Sequence, residues 1–213
     1  MMFASRKEAG WKLGCYLRAE GVKVDRVLGL PRGGVVVAAE LARLLQRPLD
    51  VLIVRKIGHP LYREFAVGAL AEPDVVLIDE ASLERNSLVR AQLDEVIAEE
   101  TQRLRQYQMR FHCEGALDLM GQTVLLADDG LATGATMEAA VLAARKQDAW
   151  RIVVAVPVAS PSAVQRLERV ADEVKALLMD PGFEAVGQYY EEFAQTSDDE
   201  VLALLAADKQ TSR

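Results

Sequence analysis

The sequence is poor in the residues that build metal sites and disulfide-stapled folds. Only two cysteines, Cys15 and Cys113, occur among its 213 residues, and they form neither a metal-ligand spacing nor a disulfide framework. Histidine also occurs only twice, and the adjacent pair His112 and Cys113 has no further ligands at zinc-binding spacing. We therefore expect two free thiols in a reducing compartment and no zinc site.

Long hydrophobic runs are absent as well. The longest uncharged stretch, residues 152–165, is interrupted by Pro157 and Pro161 and falls short of the ~20 apolar residues that a membrane-spanning helix needs. The first seven residues include basic side chains, but no apolar segment typical of a signal peptide follows them. These absences predict a soluble, cytoplasmic protein that does not bind membranes.

Positive charge is scarce overall. The chain carries 25 Lys and Arg residues against 32 Asp and Glu residues, which gives a net charge of −7. Nucleic-acid and anionic-membrane binders need clustered positive charge to attract phosphates, so this balance argues against both. The charges are nevertheless segregated, because residues 29–63 sum to +4 and residues 176–208 sum to −8. A small polyanion could therefore bind near the basic stretch, with the acidic tail expected to lie elsewhere.

What the sequence does contain is an alternation of short apolar runs with helical patterns. With 51% hydrophobic and 27% charged residues, a chain of this length is typical of a single folded domain. The alternation predicts an α/β fold with a Rossmann-like, doubly wound, mainly parallel sheet and flanking helices. We expect strands over residues 24–30, 49–55, 75–78, 124–127, 152–156 and 174–178. We expect helices that open at Ser5 and Ser197, and helices over residues 35–45, 136–146 and 163–170.

Two segments depart from this alternation. Between residues 57 and 71 the pattern weakens and glycine and proline breakers occur, which predicts a loop or a loose hairpin. Residues 82–109 are charged, with apolar residues at helical spacing, and predict one long exposed helix inserted beside the sheet. The acidic residues of this helix are interpreted as a solvated face: Glu95, Glu99 and Glu100.

The most informative stretch is residues 124–136, where a strand ends in two acids and a turn of small residues leads into a helix. Ligands of open α/β sheets bind beyond the carboxyl ends of the strands, where these residues fall. The small side chains of residues 132–136 let backbone N–H groups approach an anion, and Thr133 and Thr136 add hydroxyl donors. The helix dipole contributes only ~0.3–1 kcal/mol, whereas each hydrogen bond to a charged group contributes ~1.5–3 kcal/mol. We therefore expect a phosphate site built mainly from amides and hydroxyls.

The acids beside this turn narrow the ligand class. A P-loop would place a lysine after Gly134, and no G-x-G-x-x-G dinucleotide fingerprint occurs in the chain. At ~7 Å and an effective dielectric of ~20, each carboxylate of Asp128 and Asp129 repels a unit negative charge by ~2.4 kcal/mol. The arrangement makes sense if the two acids hold sugar hydroxyls or Mg²⁺ between themselves and the phosphate. A sugar phosphate fits this description better than a bare triphosphate.

Residues 124–136 resemble the signature with which type I phosphoribosyltransferases bind phosphoribosyl pyrophosphate (PRPP). The resemblance implies that Asp128 and Asp129 hold the 2′ and 3′ hydroxyls of the ribose and contact Mg²⁺ indirectly. The chain departs from the family pattern at Ala127 and Gly130, where larger apolar residues are usual, and this affects packing more than chemistry. The implied binding site for the 5′-phosphate consists of Ala132, Thr133, Gly134, Ala135 and Thr136.

Two further stretches agree with this resemblance, which covers the core over about residues 26–158. Residues 29–34 are similar to the family's pyrophosphate loop, and residues 54–58 are similar to the segment before the mobile active-site loop of purine-type members. Residues 55–72 and 185–188 also look like a bacterial subgroup of predicted phosphoribosyltransferases whose substrates are poorly assigned. The implied pyrophosphate-binding residues are Pro31, Arg32, Gly33, Gly34, Arg55 and Lys56.

The resemblance implies an enzyme that transfers a 5-phosphoribosyl group from PRPP to a nitrogen nucleophile, such as a nucleobase, and releases pyrophosphate. Mg²⁺ is the implied cofactor, and closure of residues 57–71 would keep water from PRPP. The partners would be PRPP and a small-molecule acceptor, with no nucleic acid, and a homodimer stays open. An alternative is a non-catalytic PRPP-sensing protein of the same fold. The implied catalytic residues are Asp128, Asp129, Arg32 and Lys56.

The resemblance also implies a division of the chain. We expect residues 1–213 to form one phosphoribosyltransferase domain with a core over about residues 22–180, a helical insertion over 80–112 and a small C-terminal hood over 180–213. His59, in the expected mobile loop, either touches pyrophosphate or is a solvated loop residue. The aromatic residues of the hood either form a wall for the acceptor base or pack the hood on the core: Phe183, Tyr189, Tyr190 and Phe193.

Overall fold

The computed structural model describes residues 2–63, 65–86, 88–112 and 117–211. Cys15 is a free thiol, whereas Cys113 lies outside the described residues. Within these ranges the strands are β1 (Arg26–Gly29), β2 (Leu49–Val51), β3 (Val54–Gly58), β4 (Ala66–Ala71), β5 (Val75–Ile78), β6 (Thr123–Ala127), β7 (Arg151–Ala159) and β8 (Glu173–Met179). The helices are α1 (Arg6–Ala19), α2 (Gly33–Leu45), α3 (Glu80–Arg85), α4 (Asp94–Phe111), α5 (Ala135–Lys146), α6 (Pro161–Leu167) and α7 (Asp198–Thr211), with 3₁₀ turns at Arg90–Leu93 and Val186–Tyr189.

Five of these strands form a parallel sheet in the spatial order β2-β1-β6-β7-β8. The chain runs from β1 to β2 on one side and from β6 to β8 on the other, so the direction of winding reverses between β1 and β6. The carboxyl ends of these two strands are therefore the topological switch point, the place at which α/β sheets bind ligands. The predicted doubly wound, mainly parallel sheet with flanking helices is confirmed.

The alternation of side chains along each strand explains why helices cover both faces of this sheet. Leu125 and Val153 belong to the same buried cluster as the apolar sides of α1, α2 and α7. Their neighbours in the chain, Leu126 and Val154, pack with α5 and α6 on the other face. Successive residues of a strand point to opposite faces, and all four are fully buried. Strands buried on both faces are continuous apolar runs, which is the pattern that predicted them.

The segment predicted as one strand over residues 49–55 is two strands in different sheets, so that prediction was wrong. β2 ends at Val51 in the parallel sheet, whereas β3 starts at Val54 and pairs antiparallel with β4. At the junction, the Ile53 N–H donates to the Glu72 carboxylate (2.7 Å), and the Glu72 N–H donates to the Ile53 carbonyl (3.1 Å). An uninterrupted apolar run gives no local sign of this change, because the carboxylate that stabilises it lies 19 residues further on.

Strands β3, β4 and β5 form a separate antiparallel sheet in that order. This confirms the hairpin alternative for residues 57–71 and the short strand over residues 75–78. One face of the small sheet packs against α4 and the other against α5. The sheet thereby places β3 beside the switch point of the parallel sheet.

The prediction of one long exposed helix over residues 82–109 was wrong. The segment forms two helices, because α3 ends at Arg85 and α4 begins at Asp94. The Asn86 side chain donates to the Ser82 carbonyl oxygen at 2.7 Å, a local bond by which asparagine competes with the helical pattern. Helix α4 is not exposed on all sides either, since its apolar stripe, which includes Leu104, is buried against β3 and β4.

Local sequence signals mark the starts of α1 and α7. Ser5 Oγ accepts the Glu8 N–H at the start of α1. Ser197 and Glu200 exchange reciprocal bonds of 2.6 and 3.2 Å before α7, which is a capping box. Both predicted openings are confirmed. Across the described ranges, none of the helices combines the length and apolar character that crossing a membrane requires.

A buried polar cluster joins the two sheets to the end of α4. His112 Nε2 lies 2.9 Å from both Glu72 oxygens, Gln108 donates to the same carboxylate at 3.1 Å, and His112 Nδ1 lies 3.8 Å from Asp50. Burial acts to lower the pKa of His112, but the hydrogen bond and charge of Glu72 and the charge of Asp50 outweigh it and raise this pKa above its ordinary 6.5. The folded cluster therefore favours the imidazolium.

We predict that this cluster makes the folded protein more stable at mildly acidic than at mildly alkaline pH. Because the pKa of His112 is higher in the folded than in the unfolded chain, its contribution is complete below pH 6.5 and is lost as the pH rises through the folded-state value. Urea unfolding from about pH 6 to about pH 8.5 should show a falling free energy of unfolding, and His112→Gln and Glu72→Gln should each flatten the decline. Identical slopes in all three proteins would contradict this.

Candidate active site

A cleft of about 700 Å³ opens at the switch point between β1 and β6. The turn after β1, the end of β6, the turn before α5, the end of β3 and one side of α4 line it. Stretches that are distant in the chain therefore meet in one place. Of the residues predicted for the site, the lining contains Pro31, Arg32, Gly33, Arg55, Lys56, Asp128, Asp129 and all of residues 132–136.

The turn before α5 has the geometry of an anion site. Gly134 has a φ of 75°, a left-handed conformation that glycine adopts without steric cost, and α5 begins at the next residue. The first N–H groups of a helix have no intrahelical acceptors, so the Thr136 N–H is available to a ligand, whereas the Ala135 N–H makes a long bond to Thr133 Oγ1 (3.4 Å). Ser160 Oγ donates to the Ala132 carbonyl oxygen at 2.6 Å and holds the start of the turn. The turn thus presents donors at the positive end of a helix.

The two acids after β6 differ in their surroundings. The Asp128 side chain is half-buried at the wall of the cleft, and its Oδ1 accepts the Asp129 N–H at 2.8 Å. Burial, and after it the negative charge of Asp129, raise the pKa of Asp128 well above its ordinary range. Asp129 Oδ2 lies 2.7 Å from Arg6 Nε. Asp128 therefore retains its proton more readily than an ordinary aspartic acid, whereas Asp129 Oδ2 is held in an ion pair with Arg6.

Two glycines at the start of α2 make room for these carboxyl groups. A Cβ at Gly33 would lie 2.3 Å from Asp129 Oδ2, and a Cβ at Gly34 would lie 2.8 Å from Asp128 Oδ1 and from the Ala127 carbonyl oxygen. Real Cβ atoms essentially never come within 3.0 Å of another heavy atom. Gly34, which does not line the cleft, therefore contributes by letting α2 pack against Asp128.

Two of the basic residues predicted for the site are already paired with carboxylates from distant helices. Arg55 Nε lies 2.9 Å from Glu100 of α4, and Arg32 Nη1 lies 3.5 Å from Asp198 at the start of α7. Lys56 has no carboxylate oxygen within 4.0 Å in the described part of the chain, although its charge acts on Asp128. Lys56 is therefore the basic side chain of the cleft that is most available to an incoming anion.

The prediction of a solvated acidic face on α4 was wrong for Glu100. Its side chain is 8% exposed and binds both Arg55 and Arg103, whereas Glu95 and Glu99 are exposed as predicted. Glu100 lines the cleft although no motif pointed to it. The signal available in the sequence was its helical spacing of four from Val96 and Leu104, which places it on the buried stripe.

The acidic tail does not lie away from the basic stretch, so that expectation was also wrong. Asp198 pairs with Arg32, and Asp208 Oδ2 accepts the Leu49 N–H at 2.9 Å. Helix α7 packs against α2 and β2. Asp198 thus neutralises part of the charge of the basic segment, and composition alone cannot show a pairing between segments so distant in the chain.

The aromatic residues near the C-terminus pack the hood and do not line the cleft, which decides between the two alternatives for them. Tyr189 and Tyr190 are buried with Phe3 in one cluster, which Phe183 and Phe193 extend. The hood residue that does line the cleft is Val186. A Cβ at Gly130 would lie 2.9 Å from Val186 Cγ1. Val186 thus occupies the space that a larger residue at position 130 would need.

His59 belongs to the connection between β3 and β4, and neither alternative predicted for it fits. It is 6% exposed, so it is not a solvated loop residue, and it is not among the residues that line the cleft. Its Nδ1 accepts the N–H groups of Leu61 (3.0 Å) and Tyr62 (3.3 Å). His59 therefore stabilises the base of a connection whose tip is exposed.

The two acids do not form a cage for a metal ion by themselves. Mg²⁺ is bound by carboxylate and water oxygens, but Asp128 Oδ1 accepts the Asp129 N–H and Asp129 Oδ2 is paired with Arg6. In the ranges that the structure describes, no group of three or more His, Cys, Asp and Glu side chains could hold a metal ion. The two acids alone do not supply a ligand set for direct Mg²⁺ binding, and the predicted indirect contact with Mg²⁺ stays a prediction.

The switch point of this doubly wound sheet thus brings together a turn with the geometry of an anion site, two acids, and the basic wall of the cleft, which consists of Arg32, Arg55 and Lys56. The fold and this arrangement define an α/β protein with a candidate ligand site between β1 and β6. The family model described as phosphoribosyl transferase domain matches residues 15–192, and the chain belongs to this family. A protein of Mycobacterium tuberculosis named "Putative phosphoribosyl transferase" is 42% identical over 205 residues, which are 96% of this chain and 46% of that protein. The chain thus spans about half the length of the curated relatives it matches.

Two solved structures share the fold of this chain. The protein TT1426 from Thermus thermophilus is 42% identical and aligns over 97% of this chain and 99% of that chain, with a TM-score of 0.80. A hypothetical protein from Neisseria gonorrhoeae, crystallised with bound ppGpp, is 16% identical and aligns over 97% of this chain and 96% of that chain, with a TM-score of 0.50. This second likeness bears on the fold alone.

We predict that Gly33→Ala destabilises the protein, although alanine normally stabilises a helix relative to glycine by about 0.5–1 kcal/mol. The new Cβ would lie 2.3 Å from Asp129 Oδ2 and 2.8 Å from Arg6 Nε, and relieving such overpacking costs about 1–3 kcal/mol. Urea denaturation measures the change. Gly182→Ala is the matched control, because its Cβ would meet only Asp180 Oδ1, at 3.3 Å. A Gly33→Ala variant as stable as wild type would show that the crowding is absent.

Proposed function

We propose that this protein is a PRPP-dependent phosphoribosyltransferase that transfers a 5-phosphoribosyl group to a nitrogen nucleophile of the nucleobase type and releases pyrophosphate. Family membership supports the reaction class. The observation that carries the proposal is the convergence on one cleft of an anion-binding turn, two acids and a basic wall. PRPP has three matching parts, namely a 5′-phosphate, a ribose diol and a diphosphate.

In this proposal the turn before α5 binds the 5′-phosphate through N–H groups and through the hydroxyls of Thr133 and Thr136. Asp129 accepts a ribose hydroxyl through Oδ1, because its Oδ2 is paired with Arg6. Asp128 receives the second hydroxyl of the diol. The two acids then hold the sugar between the phosphate turn and the turn after β1.

The diphosphate would lie against the turn after β1 and the end of β3. A guanidinium has five N–H donors in a fixed plane, so Arg32 and Arg55 can donate to the diphosphate while their carboxylate partners hold them. Their positive charge is already partly compensated by those partners. Lys56 supplies charge that no carboxylate of the described residues compensates. The two arginines thus contribute hydrogen bonds of fixed geometry, and Lys56 contributes electrostatic attraction to the diphosphate.

The transfer breaks the bond between C1 of the ribose and the diphosphate oxygen, and the electron pair leaves with the diphosphate. The lone pair of the acceptor nitrogen forms the new bond to C1, and the nitrogen loses its proton. Negative charge therefore develops on the leaving oxygen, and basic groups beside the diphosphate stabilise the transition state more than the ground state. Placement of the acceptor in line with the leaving group supplies the rest of the rate enhancement.

The connection between β3 and β4 is the part of the predicted mobile loop that can close over the cleft. Leu61 is 80% and Tyr62 70% exposed, whereas β3 and β4 are held by ladder hydrogen bonds. We propose that closure of this tip, rather than of all of residues 57–71, excludes water from C1.

Calorimetry with PRPP, followed by pyrophosphate release across a panel of nucleobases, tests the function. We expect binding, and turnover with at least one base. Binding without turnover on any base would favour the non-catalytic PRPP sensor, and absence of binding would refute the proposal altogether.

Thr136→Val tests the phosphate subsite with little change of shape. A hydrogen bond to a charged group contributes about 1.5–3 kcal/mol, so PRPP should bind about tenfold more weakly or worse, with an unchanged melting temperature. Thr101→Val is the matched control, because Thr101 Oγ1 donates within α4 to the Ile97 carbonyl oxygen and does not line the cleft. Equal affinities of Thr136→Val and wild type would place the phosphate elsewhere.

We further predict that Lys56→Ala weakens the binding of inorganic pyrophosphate by about tenfold or more, because a charge-assisted hydrogen bond and an uncompensated positive charge are lost together. Calorimetry at low and high salt measures the effect, which should shrink as salt screens the charge. Lys146→Ala is the control, since Lys146 pairs with Asp74 at the surface. Similar affinities for both variants would remove Lys56 from the site.

A further inference from the structure

The N-terminal helix reaches the candidate site through one side chain. Arg6, the first residue of α1, places Nε 2.7 Å from Asp129 Oδ2, and the two side chains are only 11% and 14% exposed. Nη1 of the same guanidinium donates to the Ala194 carbonyl oxygen at 2.7 Å, and the guanidinium carbon lies 3.8 Å from the centre of the Phe193 ring. Arg6 is not among the residues that line the cleft. It therefore contacts Asp129 from outside the lining of the cleft.

A second contact holds the backbone of the same residue. The Tyr190 hydroxyl donates to the Asp129 carbonyl oxygen at 2.6 Å, and the Tyr190 ring lies 5.2 Å from that of Phe193. Arg6, Phe193, Tyr190 and Asp129 thus close a ring of contacts. Both the carboxylate and the carbonyl of Asp129 are held by groups outside the cleft, which are supplied by α1 and by the C-terminal hood.

The chemistry of the guanidinium suits this position. Its planar set of donors lets Arg6 bind a carboxylate through one nitrogen and a carbonyl through another while its face lies on an aromatic ring. An ammonium group at this position could make the ion pair without the other two contacts. Asp129 Oδ2 is thereby occupied by its hydrogen bond with Arg6, and Oδ1 has no partner among the described residues. A carboxylate ordered before the ligand arrives loses less entropy when it binds.

We propose that Arg6 is a positioning residue that orients Asp129 Oδ1 toward a ribose hydroxyl, which makes the N-terminal helix part of the sugar subsite. The inference rests on the proposed function, since it assigns the sugar to Asp129. If Arg6 has this role, binding of the sugar depends on Arg6, whereas binding of a diphosphate at the turn after β1 does not.

Calorimetry with PRPP, ribose 5-phosphate and inorganic pyrophosphate tests this on wild type, Arg6→Ala, Arg6→Lys and the control Lys12→Ala. Lys12 is a half-buried basic residue of the same helix that pairs with Glu8 and lies over the Phe3 ring, and it has no ion pair with Asp129. Arg6→Ala should weaken ribose 5-phosphate and PRPP by about tenfold or more while pyrophosphate changes by less than about twofold. Arg6→Lys should give an intermediate loss for the two sugar ligands, because it keeps only the ion pair. Lys12→Ala should bind all three ligands as wild type does.

The outcomes that overturn the inference are distinct. If wild type binds no PRPP, the proposed function fails and the role of Arg6 fails with it. If wild type binds PRPP and both Arg6 variants bind ribose 5-phosphate equally well or more tightly, the function stands and the positioning role is refuted. A parallel loss of sugar and pyrophosphate binding would show that Arg6 only holds the fold. Where Arg6→Ala does not fold, Arg6→Lys provides the test. A loss of ribose 5-phosphate affinity larger than its loss of pyrophosphate affinity supports the positioning role, and equal losses refute it.

Discussion

The crowding of two acids against the start of a helix is the constraint on which the rest of the site depends. Because β1 and β6 are neighbours, the turns that follow them meet, and Gly33 and Gly34 are needed for α2 to begin beside Asp128 and Asp129. Burial, and after it the negative charge of the adjacent Asp129, raises the pKa of Asp128. Opposing charge comes from Arg6 on α1 and from β3. The helix at the start of the chain and the small antiparallel sheet are thus both tied to the same pair of acids.

An acidic chain can have a basic cleft because acidic side chains pair with the basic residues of the cleft, not because the two kinds of charge lie in separate regions. Arg32 and Arg55 are each held by a carboxylate that comes from a distant helix, α7 or α4. Such pairing orders long side chains before a ligand binds and reduces the net charge of the site. A ligand in this cleft would therefore be bound by directed hydrogen bonds more than by long-range attraction, with Lys56 as the main exception.

The parts of the fold that the sequence predicted are those that rest on continuous local patterns. The buried strands appear as apolar runs, Ser5 and Ser197 mark helix starts, and residues 124–136 carry the strand, the acids and the turn in one stretch. Two of the failures depend on contacts between distant residues, whereas the break in the helix predicted over residues 82–109 goes with a local bond of Asn86. Glu72 divides the apolar run over residues 49–55 into two strands, and Arg55 and Arg103 bury Glu100.

By itself, then, the sequence determined the class of the sheet, the place of the turn proposed to bind a phosphate and the identity of the two acids beside it. Only the tertiary structure decided which charged side chains form ion pairs with each other. It placed Arg6 on Asp129, 123 residues away in the chain, Asp198 on Arg32, and the hood aromatics away from the cleft. The physical reason is that periodicity and spacing in the sequence reflect the local secondary structure of a segment and which of its faces is buried. An ion pair between distant segments leaves no such record, because its energy depends on distance and burial that exist only once the chain has folded.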